Sequence, residues 1–257
     1  MQTNSLLKRN YLVAAILAAT SLGLAVPAVA DTFSIQYFQG VTGSPDFYNG
    51  GNVPIGGSNN YVTSALGPDG LPVFNPAFTS ASGTVLAPNS AYLNGSNELL
   101  YWTPGAGTIT ADGTGTIALS GTAVTMFPPP GNNDANHEET AILTGFFTVP
   151  NGQTDTVTFN VGADDTAFVY VDGALVESLG GIHADTPAAS DVVTYGAGTH
   201  EIELFYADHD TTQAYLSFTD NGDFTVVPTV TPEPGSLFLL GSGLLGIAGA
   251  ARRRFRS

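Results

Sequence analysis

Residues 161–183, VGADDTAFVYVDGALVESLGGIH, contain two apolar segments that are rich in β-branched and aromatic side chains. The dipeptide Asp172-Gly173 separates them, and Asp-Gly tolerates the positive φ angles that a two-residue hairpin turn requires. The pattern therefore predicts a β-hairpin whose strands are residues 167–171 and 174–179.

Polar segments flank this hairpin at the end opposite to its turn. Asp164 and Asp165 form a short acidic break before the first strand, and residues 180–183 (GGIH) follow the second strand. The sequence therefore predicts an acidic loop that opens the hairpin and a glycine-rich loop that closes it.

The rest of the chain favours short strands and many turns. It has 257 residues, of which 31 are Gly and 16 are Pro. Alternating or apolar segments predict further strands at residues 32–38, 114–126, 141–149, 154–161, 192–195, 200–206 and 214–219. In the segment 200–206, Ile202, Leu204 and Tyr206 share one face, and His200 falls on the same face, where we expect it to be packed rather than to bind a ligand. We predict an all-β fold, an antiparallel β-sandwich, in one large domain or two smaller ones.

Strand direction predicts which loops lie at the same end of the sandwich. If the chain reverses at every connection, residues 162–166, 180–191 and 207–213 lie at one end, and the turns 172–173 and 196–199 lie at the other. The three loops of the first group carry most of the polar candidates. The candidates for metal binding are Asp164, Asp165, His183, Asp185, Asp208 and Asp210.

The charge distribution limits the partners of the protein. All six basic residues lie before residue 31 or after residue 251, and the segment between them contains 22 acidic residues and no Lys or Arg. Nucleic acid is therefore a poor partner. The acidity predicts either bound divalent cations or a role in solubility alone. Cys is absent, which excludes disulfides and thiolate metal sites.

Calcium is the cation that oxygen-rich loops suit best, because Ca²⁺ takes about six to eight oxygen ligands. Adjacent residues of a regular strand point to opposite faces. Asp164 and Asp165 can therefore face one ion only if the backbone is distorted there, for instance by a cis peptide bond. The alternative is that the pair is a solvated turn. His137-Glu138-Glu139 is expected to be a solvated loop, since the HExxH zinc spacing would need His where Ala141 stands.

Several motifs resemble the fibro-slime variety of the anthrax protective-antigen-type domain. They are Asp164-Asp165, Phe168-Val169-Tyr170, Asp172-Gly173, Leu179-Gly180-Gly181-Ile182-His183, Ser44-Pro45-Asp46-Phe47, residues 66–74 (LGPDGLPVF) and Phe205-Tyr206-Ala207-Asp208. The resemblance implies one β-sandwich domain over residues 31–228. In sugar-binding relatives such as yeast flocculin-type adhesins, an adjacent Asp pair in a cis peptide holds Ca²⁺, which in turn holds sugar hydroxyls. The sequence departs from the family pattern at Thr166, where a third Asp is common, and at Ala174 and Asp210.

The two ends of the chain carry export signals. Residues 1–30 combine a basic start, an apolar run and Ala28-Val29-Ala30, which predicts a secretory signal peptide that is cleaved before Asp31. Residues 229–257 contain Pro232-Glu233-Pro234, an apolar run at 235–251 and an arginine cluster. This order resembles the PEP-CTERM sorting signal of Gram-negative bacteria. It implies a C-terminal hydrophobic helix that enters the inner membrane transiently, recognition by an exosortase, and a final location at the cell surface or in the extracellular matrix.

These observations predict an exported binding module. We expect Ca²⁺-dependent binding of a carbohydrate or extracellular polysaccharide, and the alternative is a structural envelope or biofilm-matrix protein without a specific ligand. An enzyme is not expected, since GxSxG and HExxH motifs are absent and the body has no Lys or Arg to stabilise developing negative charge. A glycosidase that uses two carboxylates is the enzymatic alternative.

Overall fold

The computed structural model describes residues 31–47, 60–79, 87–127, 137–185, 187–210, 213–222 and 224–228. The predicted signal peptide (1–30) and the predicted sorting signal (229–257), including its apolar run at 235–251, lie outside these residues. Within the described ranges, no helix is both long and apolar enough to cross a membrane.

The described part of the chain is built from β-strands and one short 3-10 turn, Ser90–Tyr92. The strands are β1 (Asp31–Val41), β2 (Val62–Leu66), β3 (Pro72–Phe74), β4 (Thr110–Leu119), β5 (Val124–Thr125), β6 (His137–Val157), β7 (Phe159–Asp164), β8 (Thr166–Val171), β9 (Ala174–Leu179), β10 (Ala188–Ala189), β11 (Val193–Ala207), β12 (Tyr215–Asp220) and β13 (Val227–Pro228).

The strands form two antiparallel sheets. The large sheet has the order β3-β2-β9-β8-β11-β6-β1-β4, with β13 also paired to β6, and the small sheet has the order β10-β7-β12-β5. The predicted hairpin is β8 and β9, and its turn residues Asp172 and Gly173 have φ angles of 52° and 76°. The prediction of an all-β antiparallel fold is therefore confirmed.

Two apolar cores lie on the two faces of the large sheet. The first core fills the space between the sheets and contains Phe33, Leu143 and Phe218. The second core lies on the opposite face, where residues 60–79 and 87–109 contribute to it, and it is rich in aromatic side chains. Strand β11 contributes side chains to both cores, because Leu204 and Phe205 point to opposite faces of the sheet.

Strands β6 and β11 differ from their predicted extents. The segments 141–149 and 192–195 were expected to end at turns, but β6 and β11 pair along their lengths, from Val193 opposite Val157 to Ala207 opposite Thr140. Exposed residues 150–153 bulge out of this pair while the pairing continues on both sides. The predicted turn at 196–199 is the matching irregularity in β11, and the predicted strand 154–161 is split because β6 ends at Val157 and β7 begins at Phe159.

Residues 207–210, the described start of the third predicted loop, nevertheless lie at the predicted end of the fold. The short strand β10 runs antiparallel to β7 and carries the chain to the opposite end, from which β11 returns. The number of reversals is therefore the same as predicted, although a different segment makes one of them.

The segment His137-Glu138-Glu139 is not a solvated loop. It begins β6, and Glu138 and Glu139 are both fully buried. Glu138 and Glu139 pair with Gly40 and Gln39 of β1, while Asp208 donates its N–H to the Glu139 carbonyl at 2.8 Å. The segment is therefore part of the large sheet, and both of its carboxylates are buried.

Candidate functional site

The acidic pair lies where the chain crosses from one sheet to the other. Strand β7 of the small sheet ends at Asp164, and β8 of the large sheet begins at Thr166. The peptide bond between Asp164 and Asp165 is cis. This is the kind of backbone distortion that the sequence required if both carboxylates are to face one ion.

The side chain of Asp165 contacts residues of the other two predicted polar loops. Its side chain is 2% exposed. The backbone N–H of His183 donates to Oδ1 at 3.0 Å, and the backbone N–H of His209 donates to Oδ2 at 2.8 Å. Loops that are separate in sequence are therefore joined through one carboxylate.

Asp164 is held by both its backbone and its side chain. Its carbonyl accepts a hydrogen bond from the Tyr206 hydroxyl. Its carboxylate hydrogen-bonds to Asp165 and accepts the backbone N–H of Asp185, and the ring of His183 is close enough to interact with it electrostatically. Four of the six predicted metal-binding residues therefore surround the cis peptide directly.

Asp208 and Asp210 reach the site from the third loop. Asp208 is fully buried and hydrogen-bonds to the Asp165 carboxylate. Asp208 also accepts the backbone N–H of Asp210 on Oδ1 at 3.2 Å. Asp208 thus belongs to the cluster around Asp165, while Asp210 is placed beside Asp208 through its backbone.

The side chain of Asp185 lies over Gly162 in β7. A Cβ atom at position 162 would come within 2.3 Å of Asp185 Oδ1 and within 2.6 Å of Ser217 Oγ, so only glycine leaves room for this carboxylate. Among the residues that the structure describes, Asp185 Oδ1 is buried and has no hydrogen-bond partner. A buried carboxylate oxygen of this kind is a suitable ligand for a cation.

The electrostatics of the site oppose full ionisation in the absence of a cation. Burial and the negative charge of Asp164 raise the pKa of Asp165 to about 7, against the lowering effect of the two backbone N–H donors. Burial also raises the pKa of Asp164. Two adjacent buried carboxyl groups therefore share negative charge near neutral pH, and a bound cation would favour their ionised forms.

His209 is a residue of the site that was not among the predicted metal ligands. It is fully buried, its ring stacks on Phe47 with centroids 5.4 Å apart, and its Nδ1 lies 2.7 Å from the carbonyl of Asp46. Burial lowers the pKa of His209 to about 4, so the ring is neutral and Nδ1 donates. The segment Asp46-Phe47 is one of the motifs that carry the family resemblance. Nothing in the sequence connects this segment to His209 or to the acidic loops.

Asp46 connects His209 to residues of the second core. Its carboxylate accepts the backbone N–H of Asn89 at 3.0 and 2.9 Å and the Tyr101 hydroxyl at 3.2 Å. The acidic loops are therefore fixed, through His209 and Asp46, to the layer that covers the large sheet.

Thr166, where the family often has a third Asp, has a structural role. Its buried hydroxyl donates to the Gly181 carbonyl at 3.2 Å and accepts the Gly181 N–H at 3.0 Å. Gly181 has a φ of 99°, in the region that favours glycine. The hydroxyl thus joins the start of β8 to the loop that follows β9.

The donor set is chemically suited to calcium, since carboxylate oxygens are the ligands that this hard cation prefers. Within the described ranges, however, no group of three or more His, Asp or Glu side chains is close enough together to hold a metal ion as they stand. The carboxyl groups of the cluster lie close to one another instead, and a protonated one can donate a hydrogen bond to its neighbour. Calcium binding would exchange these hydrogen bonds for metal contacts.

The fold and the site define an antiparallel two-sheet β domain with an acidic loop site at one end. Residues 104–228 match the family model of the PA14 domain, and residues 230–254 match the PEP-CTERM protein-sorting motif. The sorting motif indicates an exported protein that is processed at the membrane. The finer assignment to the fibro-slime variety stays a prediction.

The solved structures to which this chain is similar include three that match over most of its length. The PA14 sugar-binding domain of an RTX adhesin is 18% identical, with 77% of this chain and 95% of that chain covered and a TM-score of 0.37. The A domain of epithelial adhesin 9 from Candida glabrata, in complex with Galβ1-4GlcNAc, is 14% identical, with 81% and 95% covered and a TM-score of 0.37. The PA14 domain of an antifreeze protein is 14% identical, with 78% and 93% covered and a TM-score of 0.36. No curated protein matches the chain.

Proposed function

We propose that the protein is an exported surface or matrix module that binds carbohydrate through the loops around Asp164 and Asp165, with Ca²⁺ as part of the site. The match of residues 104–228 to the PA14 domain supports the assignment to a binding module. The ligand class is an extracellular polysaccharide or a surface glycan. Processing by an exosortase, with a transient stage in the inner membrane, is proposed from the PEP-CTERM match.

The arrangement around Asp165 is the observation that carries this proposal. One buried carboxylate receives the N–H groups of two loops and lies beside two further acidic side chains. Segment 31–251 contains no Lys or Arg that could compensate these charges. A divalent cation supplies such compensation, and its affinity for oxygen also suits the hydroxyl groups of sugars.

The residues of the site would have different tasks. Asp164 and Asp165 would hold the ion, and Asp208 and Asp185 would add carboxylate oxygens from the neighbouring loops. His183 contributes its backbone N–H, which orients Asp165, and Asp210 lies at the outer side of Asp208. Bound calcium would offer its remaining coordination positions to ligand hydroxyls.

Calorimetry with CaCl₂ on the exported chain that starts at Asp31 tests the metal claim. We expect saturable heat that is lost in Asp165→Asn and retained in Asp172→Asn, which removes a carboxylate at the opposite end of the hairpin. Both substitutions preserve the shape of the side chain. Equal heat from the wild type and the Asp165→Asn variant would contradict the calcium site.

A glycan array separates the binding module from the structural alternative. The proposal requires selective binding that a chelator abolishes and that added Ca²⁺ restores. Binding to no glycan, together with normal folding, would favour a matrix protein whose acidity serves hydration only. Release of sugar from a bound polysaccharide, lost on substitution of one carboxylate, would instead indicate a glycosidase.

A further inference from the structure

A second acidic cluster lies at the end of β12 that is opposite to the loop site, where the first and the last strands meet. Asp31 begins β1, and its Oδ1 accepts the backbone N–H of Val226 at 3.0 Å. The next residue, Thr32, donates its own N–H to the Val226 carbonyl at 3.1 Å. The start of β1 is therefore held against the segment that leads into β13.

The carboxyl group of Asp31 also meets a second carboxyl group. The carboxyl groups of Asp31 and Asp220 lie close enough together to interact, and Asp155 lies close enough to repel Asp220. Asp220 Oδ1 accepts the N–H of Gly222 at 2.8 Å, which keeps this carboxyl group at the end of β12. A hydrogen bond between two carboxyl groups requires that one of them holds a proton.

The protonated state of this pair is a consequence of its surroundings. Burial, followed by the negative charge of Asp31, raises the pKa of Asp220 to about 7. Burial also raises the pKa of Asp31. Since segment 31–251 lacks Lys and Arg, no side chain of that kind in the body can neutralise the pair.

Export changes the charge at this position. Cleavage after Ala30, which the Ala28-Val29-Ala30 signal predicts, converts the amide nitrogen of Asp31 into an α-ammonium group. This nitrogen is separated from the Asp31 carboxyl carbon only by Cα and Cβ, and the carboxyl group of Asp220 lies beside that same carboxyl group. A cation is thereby created within reach of both carboxylates.

We propose that Asp31 and Asp220 form the binding site for the α-ammonium group that signal-peptide cleavage creates, so that the mature chain is more stable than the precursor. In the precursor the pair shares a proton. In the mature chain both carboxylates ionise against the ammonium group, and the resulting ion pairs join β1 to β12. Cleavage thus strengthens the closure of the fold where its ends meet, independently of any ligand at the loop site.

The chain itself allows a selective test, because its single Lys is Lys8, within the predicted signal peptide. An N-hydroxysuccinimide acetate reagent therefore modifies only one amine of the mature chain, the α-amino group of Asp31. We expect acetylation to lower the thermal midpoint at pH 7 by about 2–4 °C, the range expected for one lost interaction in a chain of this size. The loss should be much smaller in Asp220→Asn, and it should vanish well above the ordinary α-amino pKa of about 8.

The pH dependence of the acetylation rate gives a second measurement that does not need the variant to fold. Carboxylates near an ammonium group raise its pKa. The α-amine of the folded wild-type chain should therefore react with a higher apparent pKa than the same amine in urea. Equal apparent pKa values in the two states, or a thermal midpoint that acetylation leaves unchanged, would overturn the proposal. So would a mature N-terminus at a residue other than Asp31.

Discussion

The backbone N–H of His209 donates to Oδ2 of Asp165 at 2.8 Å, although the two residues lie 44 positions apart. The ring of the same histidine lies with Nδ1 2.7 Å from the Asp46 carbonyl. One residue therefore fixes the acidic carboxylate on one side and the second core on the other. We regard His209 as a positioning residue of the site, since it acts through Asp165.

Replacement of His209 should weaken both the fold and the site. His209→Ala removes a buried hydrogen bond and leaves a cavity beside Phe47, and we expect a loss of about 2–4 kcal/mol in the free energy of unfolding. Urea unfolding measures this loss, with the emission of Trp102, the single Trp of the chain, as the signal. The calcium heat of the folded variant should also fall.

His209→Asn is the matched control for this prediction. The Asn amide can donate to the Asp46 carbonyl from nearly the same place as Nδ1, so it should recover part of the stability and most of the calcium response. If Asn and Ala lower the calcium response equally, His209 does not act through this hydrogen bond.

Thr166 should depend on its hydroxyl rather than on its size. Thr166→Val keeps the branched shape but leaves the N–H and carbonyl of Gly181 without their partner, and we expect it to cost about 1–3 kcal/mol. Thr166→Ser keeps the hydroxyl and removes one methyl group, at a cost of about 0.8 kcal/mol. Denaturant unfolding of both variants checks the difference, and a Val variant as stable as the Ser variant would contradict it.

The parts of the fold that could be predicted from the sequence depend on local chemistry. Asp172-Gly173 adopts positive φ angles in any hairpin of this type, so its turn could be read from two residues. The convergence of the polar loops could be predicted from strand direction. An error in the length of a strand does not change this prediction as long as the number of chain reversals is unchanged.

The parts that could not be predicted depend on contacts between distant segments. Residues 150–153 look like a turn, and only the pairing of β6 with β11 on both sides makes them a bulge. The placement of Glu138 and Glu139 in a strand likewise depends on pairing with β1, which lies about 100 residues earlier in the chain. The contact of His209 with Asp46 joins residues that are 163 positions apart, and no local sequence pattern predicts it.

The pair His200 and Asp172 should make stability depend on pH. His200 Nδ1 lies 2.7 Å from Asp172 Oδ2, and its Nε2 lies 2.9 Å from the Gly196 carbonyl. Burial lowers the pKa of His200, but the hydrogen bonds and the charge of Asp172 outweigh it, so the pKa lies above 6.5. The folded state therefore binds the proton more tightly, and its stabilisation is fully present below 6.5 and is lost as the pH rises through the folded-state pKa.

Asp172→Asn tests this pair without disturbing the turn. Asn tolerates the positive φ of position 172 and keeps an oxygen for the N–H of Glu201, which Asp172 Oδ1 accepts at 3.0 Å. The thermal midpoint of the wild type should be higher than that of the variant at about pH 5.5 and nearly equal to it at about pH 9. A constant difference over this range would exclude the ion pair as its cause.

Glu203 should destabilise the fold when it is ionised. It faces Tyr170 across β8 and β11, and the Tyr170 hydroxyl is buried without a hydrogen-bond partner among the residues that the structure describes. Burial, followed by the charge of Glu201, raises the pKa of Glu203 to about 7 from an ordinary value of 4.5. The folded state therefore holds a proton that the unfolded state has lost in this range, and stability falls as the pH rises from about 4.5 to about 7.

Glu203→Gln removes the charge while keeping the shape, so the variant should unfold at a higher temperature than the wild type at about pH 8. The two midpoints should converge toward about pH 4, where Glu203 is protonated in both states. Glu201→Gln is the matched control, because it lowers the pKa of Glu203 without removing the carboxyl group and should move the same slope to lower pH. Thermal unfolding of the three proteins across this pH range tests the prediction. A Glu203→Gln variant that is less stable than the wild type at about pH 8 would mean that ionised Glu203 stabilises the fold.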